Sequence, residues 1–157
     1  MFIMNAGLSG DSTLIVRPME RRDAREVTCL IEQLGYERSQ DEVLCWLEAL
    51  GSVTERQAAF VACLGEEVVG WIEVSIERRL QSDPFALIGG LVVKDGARGR
   101  GIGRRLCATA EEWGWSHGVS KVRVTSRSTR VDAHRFYAKD GYEPVKVSQV
   151  FEKRRGE

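Results

Sequence analysis

Val93-Lys-Asp-Gly-Ala-Arg-Gly-Arg-Gly-Ile-Gly103 decides how this 157-residue chain is read. The stretch ends an apolar run, Leu87-Ile-Gly-Gly-Leu-Val-Val93, that reads as a buried strand. It leads into Arg104-Arg-Leu-Cys-Ala-Thr-Ala-Glu-Glu-Trp113, which reads as a helix with Leu106, Ala110 and Trp113 on one stripe. A strand, a glycine-rich turn and a helix N-terminus together make an anion site, because the first amide N–H groups of a helix lack intrahelical partners and its dipole favours negative charge. Gly99, Gly101 and Gly103 let the backbone come close to a phosphate, and Arg98, Arg100, Arg104 and Arg105 surround it with positive charge. The expected ligand carries phosphate.

Three glycine-rich loops compete for this stretch. A Walker loop needs Lys-Ser or Lys-Thr after its last Gly, and here Arg104-Arg105 follows Gly103. A dinucleotide fingerprint starting at Gly99 needs Gly at position 104, which is Arg. What remains is R-x-x-G-x-G, from Arg98 to Gly103. The plain alternative is a surface turn rich in Gly and Arg, although such a turn needs fewer glycines.

Composition narrows the classes further. The length suits one domain with a sizeable core, and 43% hydrophobic residues suit a globular protein. Lys+Arg and Asp+Glu both total 23, so a general nucleic-acid or membrane-surface binder is disfavoured. No apolar run reaches transmembrane length. Met1–Ser12 has neither the basic region nor the apolar core of a secretion signal, so it reads as a flexible tail before a single domain at 13–157, with Met4 as an alternative start. Cys29, Cys45, Cys63 and Cys107 show no metal-ligand spacing, and His117 and His134 are the only histidines, so no metal is expected. All four cysteines read as small buried hydrophobes, which suits a reducing cytoplasm.

Hydrophobic periodicity predicts strands over Thr13–Arg17, Ala59–Leu64, Val68–Ile76, Phe85–Val93, Lys121–Ser126 and Tyr142–Phe151. Asp83-Pro84 reads as a break before the fourth of these. Helices are predicted to Leu34 with a stop at Gly35, through Val43, Leu47 and Leu50 with Ser39 or Asp41 as cap, after the glycine loop, and over Val131–Asp140. Alternating strands and helices imply an α/β (α+β) fold with a mixed sheet and helices on both faces.

The loop, together with Ala133-His-Arg-Phe-Tyr-Ala-Lys-Asp-Gly-Tyr142, resembles the GNAT superfamily of N-acetyltransferases, whose members carry A-x-x-F-Y-x-x-x-G-F/Y at the matching place. The likeness runs in outline from about Thr13 to Lys153, and its C-terminal half is loosely similar to the aminoglycoside 6'-N-acetyltransferases. It implies a mostly antiparallel sheet splayed between the fourth and fifth strands, with acetyl-CoA as co-substrate in the splay. The pantetheine arm would lie along Leu91, Val92 and Val93, and the pyrophosphate on Arg98, Gly99, Arg100, Gly101, Ile102, Gly103 and Arg104. The resemblance also implies direct attack of a primary amine, from a small molecule or peptide, on the thioester.

Two proton carriers follow from that chemistry. Tyr137 matches the family's tyrosine and is the expected acid for the departing thiolate; the alternative is packing alone. Some family members place a Glu on the fourth strand, where this chain has none, and Glu73 on the neighbouring strand is the candidate base. Glu73 shares a face with Trp71, Ser75 and Glu77, which looks either into an acceptor cleft or into solvent; a water chain is the other route for the proton. The family's Asn after the fifth strand is absent, and Ser126 is the candidate replacement, with Arg130 as a phosphate contact. His134, on the helical face of Tyr137, reads as a surface or cofactor-edge residue. Tyr36 and Glu37 are expected to hold the acceptor amine. A homodimer through Val145, Val147 and Val150 on the last strand is expected by analogy. A non-catalytic acetyl-CoA-binding regulatory module is the alternative function.

Overall fold

The computed structural model describes residues 13–51 and 53–156. They fall into two compact units, one through Val124 and one from Thr125 onward. The expected tail at 1–12 lies outside the described residues.

The first unit is a five-stranded sheet in chain order: β1 (Leu14–Pro18), β2 (Gln57–Leu64), β3 (Glu67–Arg79), β4 (Ser82–Val93) and β5 (Val122–Val124). The first four run antiparallel, and β5 pairs parallel to β4. Between β1 and β2 lie α1 (Ala24–Leu34) and α2 (Gln40–Leu50); α3 (Ile102–Ser116) joins β4 to β5. Parallel neighbours need such a crossover, whereas β2, β3 and β4 are joined by tight turns.

Each face of the sheet is covered. Val27 and Leu30 of α1 and Val43 and Leu47 of α2 form one buried cluster with Ala59, Val61, Trp71 and Val92. Ile102, Leu106, Ala110 and Trp113 of α3 are also buried, on the other face. There Gly70 lets the helix settle, because a Cβ at that position would stand 3.1 Å from Leu106 Cδ1. Burial of side chains like these, at about 1.5–3 kcal/mol each, is the main source of stability.

Local signals set the helix ends. Gly35, at φ 100°, ends α1, and the Tyr36 N–H donates back to the Ile31 carbonyl at 3.3 Å. Ser39, not Asp41, caps α2: its Oγ accepts from Glu42 N–H, and the Glu42 carboxylate accepts from Ser39 N–H.

Three expectations are corrected. Asp83-Pro84 does not break the chain, because β4 begins at Ser82 and Pro84 falls in a register irregularity, where its missing N–H costs no ladder bond. Tyr142–Phe151 is not a strand: among the described residues the second unit contains the helix α4 (Val131–Lys139) and no strand for that segment to pair with. Val145, Val147 and Val150, the residues of the expected subunit contact, are exposed on that segment. Finally, only Cys63 and Cys107 are buried, whereas Cys29 and Cys45 are exposed. Each of these two lies two residues past a buried valine, Val27 or Val43, and so about 200° around the helix from it.

Asp23 is the one buried charged residue among the described residues. Arg17 binds it through two nitrogens at 2.7 and 2.8 Å, and Glu20 N–H donates to it at 2.7 Å. Burial opposes the charge, but these bonds outweigh it and hold the Asp23 pKa below its ordinary value. The stability this supplies is therefore present above the unfolded carboxylate pKa, about 3.9, and is lost as pH falls through the lower folded value. Asp23→Asn leaves Arg17 without its countercharge and is expected to cost about 2–4 kcal/mol at pH 7. Urea unfolding at pH 7 and near pH 3 checks this: the gap between variant and parent should narrow in acid.

No helix of the described residues is long and apolar enough to cross a membrane.

Candidate active site

The glycine loop is two successive turns. Ala97 N–H donates to the Lys94 carbonyl at 3.0 Å, with Gly96 at φ 85° in the third position, and the buried Ala97 anchors the bend. Gly99 and Gly101 follow at φ 81° and 75°, a left-handed backbone that other residues adopt at a cost. Gly101 is the N-cap of α3, so no side chain caps this terminus and no acidic residue lies in its first turn. The helix N-terminus is left with its positive end and its donors for an outside acceptor. A Cβ at Gly96, Gly99 or Gly101 would have no neighbour within 4 Å, so the space beside the loop is open. Arg98 pairs with Asp95 at 3.2 Å, and Arg98, Arg100 and Arg104 are all exposed.

The strand leading to the loop is only partly paired. The β4–β5 ladder covers Ala86–Val122, Leu87–Arg123 and Ile88–Val124 and stops there. Beyond Ile88, β4 continues to Val93 with β3 as its only strand neighbour among the described residues. The backbone of Leu91, Val92 and Val93 thus forms a sheet edge that ends at the loop. The break coincides with a bulge: Val74 pairs with Ile88 and Glu73 with Gly90, leaving Gly89 as the extra residue.

Glu73 stands opposite that bulge. A Cβ on Gly89 would lie 2.9 Å from Glu73 Oε1, and one on Gly90 would lie 2.6 Å from the Trp71 ring. The two glycines therefore make room for a carboxylate and an indole that cross β4. A half-open cleft of about 130 Å³ is lined here by Trp46, Gln57, Glu73, Ser75, Leu87 and Gly89, among others. Gln57, Ser75 and Leu87 form one cross-strand row on the α2 side, and Glu73 lies in the next row. Burial pushes the Glu73 pKa up. Neither Gln57 Nε2 nor Trp71 Nε1 has a hydrogen-bond partner among the described residues, although both are buried. Buried polar atoms are normally satisfied, so Gln57 Nε2, on the cleft lining with Glu73, has a donor to offer a polar ligand. The solvated reading of the Glu73 face is thus corrected.

Tyr36 and Glu37 follow α1 on an exposed connection and are not among the residues lining this cleft. Ser126 and Tyr137 belong to the second unit. There Ser126 Oγ is buried without a hydrogen-bond partner. Tyr137 is half-buried on α4 and packs edge-on against Phe136 and Tyr142, with ring centroids 5.2 and 5.7 Å away. His134 Nε2 lies 2.9 Å from the Arg127 carbonyl, which occupies that nitrogen locally. Among the described residues no group of three or more His, Cys, Asp or Glu side chains is placed to hold a metal ion.

Gly89, Gly90, Gln57 and Trp46 were not read as site residues from the sequence. The one available signal was Gly-Gly inside an apolar strand, which marks a bulge or a close approach.

A β4 edge unpaired by β5 beyond Ile88, followed by an uncapped, glycine-rich helix N-terminus, suits a phosphate-bearing ligand. Residues 21–142 match the acetyltransferase (GNAT) family, and the chain belongs to it. An aminoalkylphosphonate N-acetyltransferase of Salmonella typhimurium is 38% identical over 77 residues, covering 48% of this chain and 50% of that protein. An aminoglycoside N(6')-acetyltransferase type 1 of Stenotrophomonas maltophilia is 31% identical over 91 residues, covering 55% of this chain and 60% of that protein. The matched stretches thus span only about half of these relatives. Among solved structures, the aminoglycoside N-acetyltransferase AAC(6')-Iy in complex with CoA superposes with a TM-score of 0.80 at 21% identity, covering 91% of this chain and 96% of that one. The 6'-N-acetyltransferase AAC(6')-Ih of Acinetobacter baumannii superposes with a TM-score of 0.79 at 17% identity, covering 92% and all of the two chains.

Proposed function

We propose that this protein transfers an acetyl group from acetyl-CoA to a primary amine on a small molecule, by direct attack of the amine. The observation that carries this reading is the half-buried Glu73 carboxylate, opposite the bulge in β4, on the strand that leads to the uncapped N-terminus of α3. The cofactor site fits its group: Arg98, Gly99, Arg100, Gly101, Ile102, Gly103 and Arg104 present backbone N–H groups and positive charge to the pyrophosphate. The free edge at Leu91, Val92 and Val93 offers N–H and C=O groups to the amides of the pantetheine arm. Ser126 Oγ, buried and unsatisfied, is the polar contact in place of the family's Asn.

When bound, acetyl-CoA supplies the thioester acyl group. The chain supplies proton transfer. An ammonium is not nucleophilic, so Glu73 takes its proton, and a raised pKa makes that carboxylate a stronger base near neutral pH. As the new C–N bond forms and the C–S bond breaks, the Tyr137 hydroxyl gives its proton to the departing sulfur, and the second proton of the acylated nitrogen passes through water to restore the phenol. Gln57, on the cleft lining with an N–H group in need of an acceptor, orients the substrate. Relatives named for aminoalkylphosphonate and aminoglycoside acceptors support a small-molecule amine, and a cleft of about 130 Å³ admits its aminoalkyl end.

Calorimetric titration with CoA, acetyl-CoA and NAD tests the cofactor, and thiol release over an amine panel tests the transfer. Micromolar binding of both CoA species and none of NAD is the expected result; no CoA binding overturns the reading. Tyr137→Phe is expected to lower turnover about 100-fold, with CoA affinity within a few-fold of the parent. Unchanged turnover across the pH range would reduce Tyr137 to packing.

A further inference from the structure

Gln33, near the C-terminal end of α1, joins two points of the chain where β4 becomes the glycine loop. Its Nε2 donates to the Val93 carbonyl at 2.8 Å, and its Oε1 accepts from the Asp95 N–H at 2.9 Å. One side-chain amide thus meets a C=O and an N–H two residues apart, as a peptide group of a neighbouring strand would do. A carboxamide carries the donor and the acceptor that both bonds need, whereas a carboxylate has no donor, an ammonium no acceptor, and a thioether neither of useful strength. The clamp sits where regular pairing ends, since the β3 backbone makes its last bond to this segment through Lys94 N–H and the Val69 carbonyl, at 2.7 Å. The next backbone bond inside the loop is the one that closes the Lys94–Ala97 turn. Gln33 itself is held in place, because Gly35 closes α1 two residues later while Leu30 and Val27 bury the helix against the sheet.

We propose that Gln33 is a positioning residue for coenzyme A binding: it holds the first turn of the glycine loop in the shape that presents the α3 N-terminus to the pyrophosphate. This rests on the functional reading above and adds to it a residue from outside the loop, on the far side of the sequence from it. Without the clamp, the exposed Asp95-Gly96 turn samples other conformations, and binding must restore the right one. The loss should fall on the pyrophosphate and spare the chemistry.

Gln33→Met keeps the volume and removes both bonds; Gln33→Ala repeats the test without the thioether. Each is compared with the parent in four measurements: CoA affinity by calorimetry, turnover at saturating acetyl-CoA, kcat/KM with S-acetylpantetheine, which lacks the pyrophosphate, and hydrogen exchange of the Asp95 amide. The expected result is about tenfold weaker CoA binding, the scale of one or two net hydrogen bonds. Turnover and the S-acetylpantetheine kcat/KM should stay within twofold, and the Asp95 amide should exchange faster. CoA affinity within twofold of the parent would overturn the proposal, as would equal losses with both acetyl donors, which would mean a general structural defect. If the unmodified protein binds no CoA, the functional reading fails on its own, and the Asp95 exchange still decides whether the clamp orders the loop.

Discussion

Glu73→Gln should give a protein that binds CoA as the parent does and acetylates amines about 100- to 10,000-fold more slowly, the range for removal of a positioned general base. The substitution is nearly isosteric, so the space that Gly89 and Gly90 leave beneath Glu73 and Trp71 stays filled. Only the ability to take a proton is lost. Stability should move the other way. Burial raises the Glu73 pKa, so the carboxyl favours the folded state while protonated, below its unfolded pKa, and that contribution disappears as pH rises through the folded value. At neutral pH the parent bears the cost of a partly desolvated charge, and the amide does not. The variant should therefore melt at the same temperature or slightly higher. The parent's kcat/KM should rise with pH through the raised Glu73 pKa, and the residual rate of the variant should lack that limb. Thermal melts beside a pH–rate profile make the check. A variant that keeps the parent's turnover would remove Glu73 from the chemistry and leave the proton to water.

Gly101→Glu should abolish measurable CoA binding while leaving the protein folded. Gly101 sits at φ 75°, where a side chain costs about 1–2 kcal/mol. The larger effect is charge. A carboxylate at the N-cap of α3 stands beside the expected pyrophosphate, and two like charges about 4 Å apart repel by about 4 kcal/mol at an effective dielectric of 20. Together these correspond to a loss of about 1,000-fold or more. The helix itself should tolerate the change, because a negative charge complements the positive end of its dipole and a Cβ there meets no neighbour within 4 Å. Gly101→Ala separates the two effects, since it carries the backbone strain without the charge and should weaken binding by about tenfold. Calorimetry on both variants, with circular dichroism as the folding control, provides the test. Retained CoA affinity in Gly101→Glu would remove the pyrophosphate from the α3 N-terminus.

The parts legible in the sequence are those set by residues close together in the chain. The glycine loop reads directly because its three positive-φ glycines and the start of α3 lie within a few residues of one another. The helices read as well, since Gly35 and Ser39 mark ends by local chemistry. Tyr142–Phe151 misled because alternation says that a segment suits a strand, not that a partner exists. Cys29 and Cys45 depart from the buried expectation because an apolar neighbourhood in sequence is not a buried one: the helix turns both away from the stripe.

Local pattern was thus enough for the order of elements as far as α4, for the glycine-rich turn ahead of α3 and for the family to which the chain belongs. Tertiary structure alone decided what faces what. Period-two alternation placed Glu73 with Trp71 and Ser75, but the pairing of β3 with β4 inserted the Gly89 bulge, opened space beneath the carboxylate and buried it. Gln33 lies 60 and 62 residues from the two groups it holds, a distance over which no local pattern carries information. Local preferences act through one residue's own backbone and its near neighbours; a buried carboxylate or a side-chain clamp exists only once the folded chain has brought remote segments together.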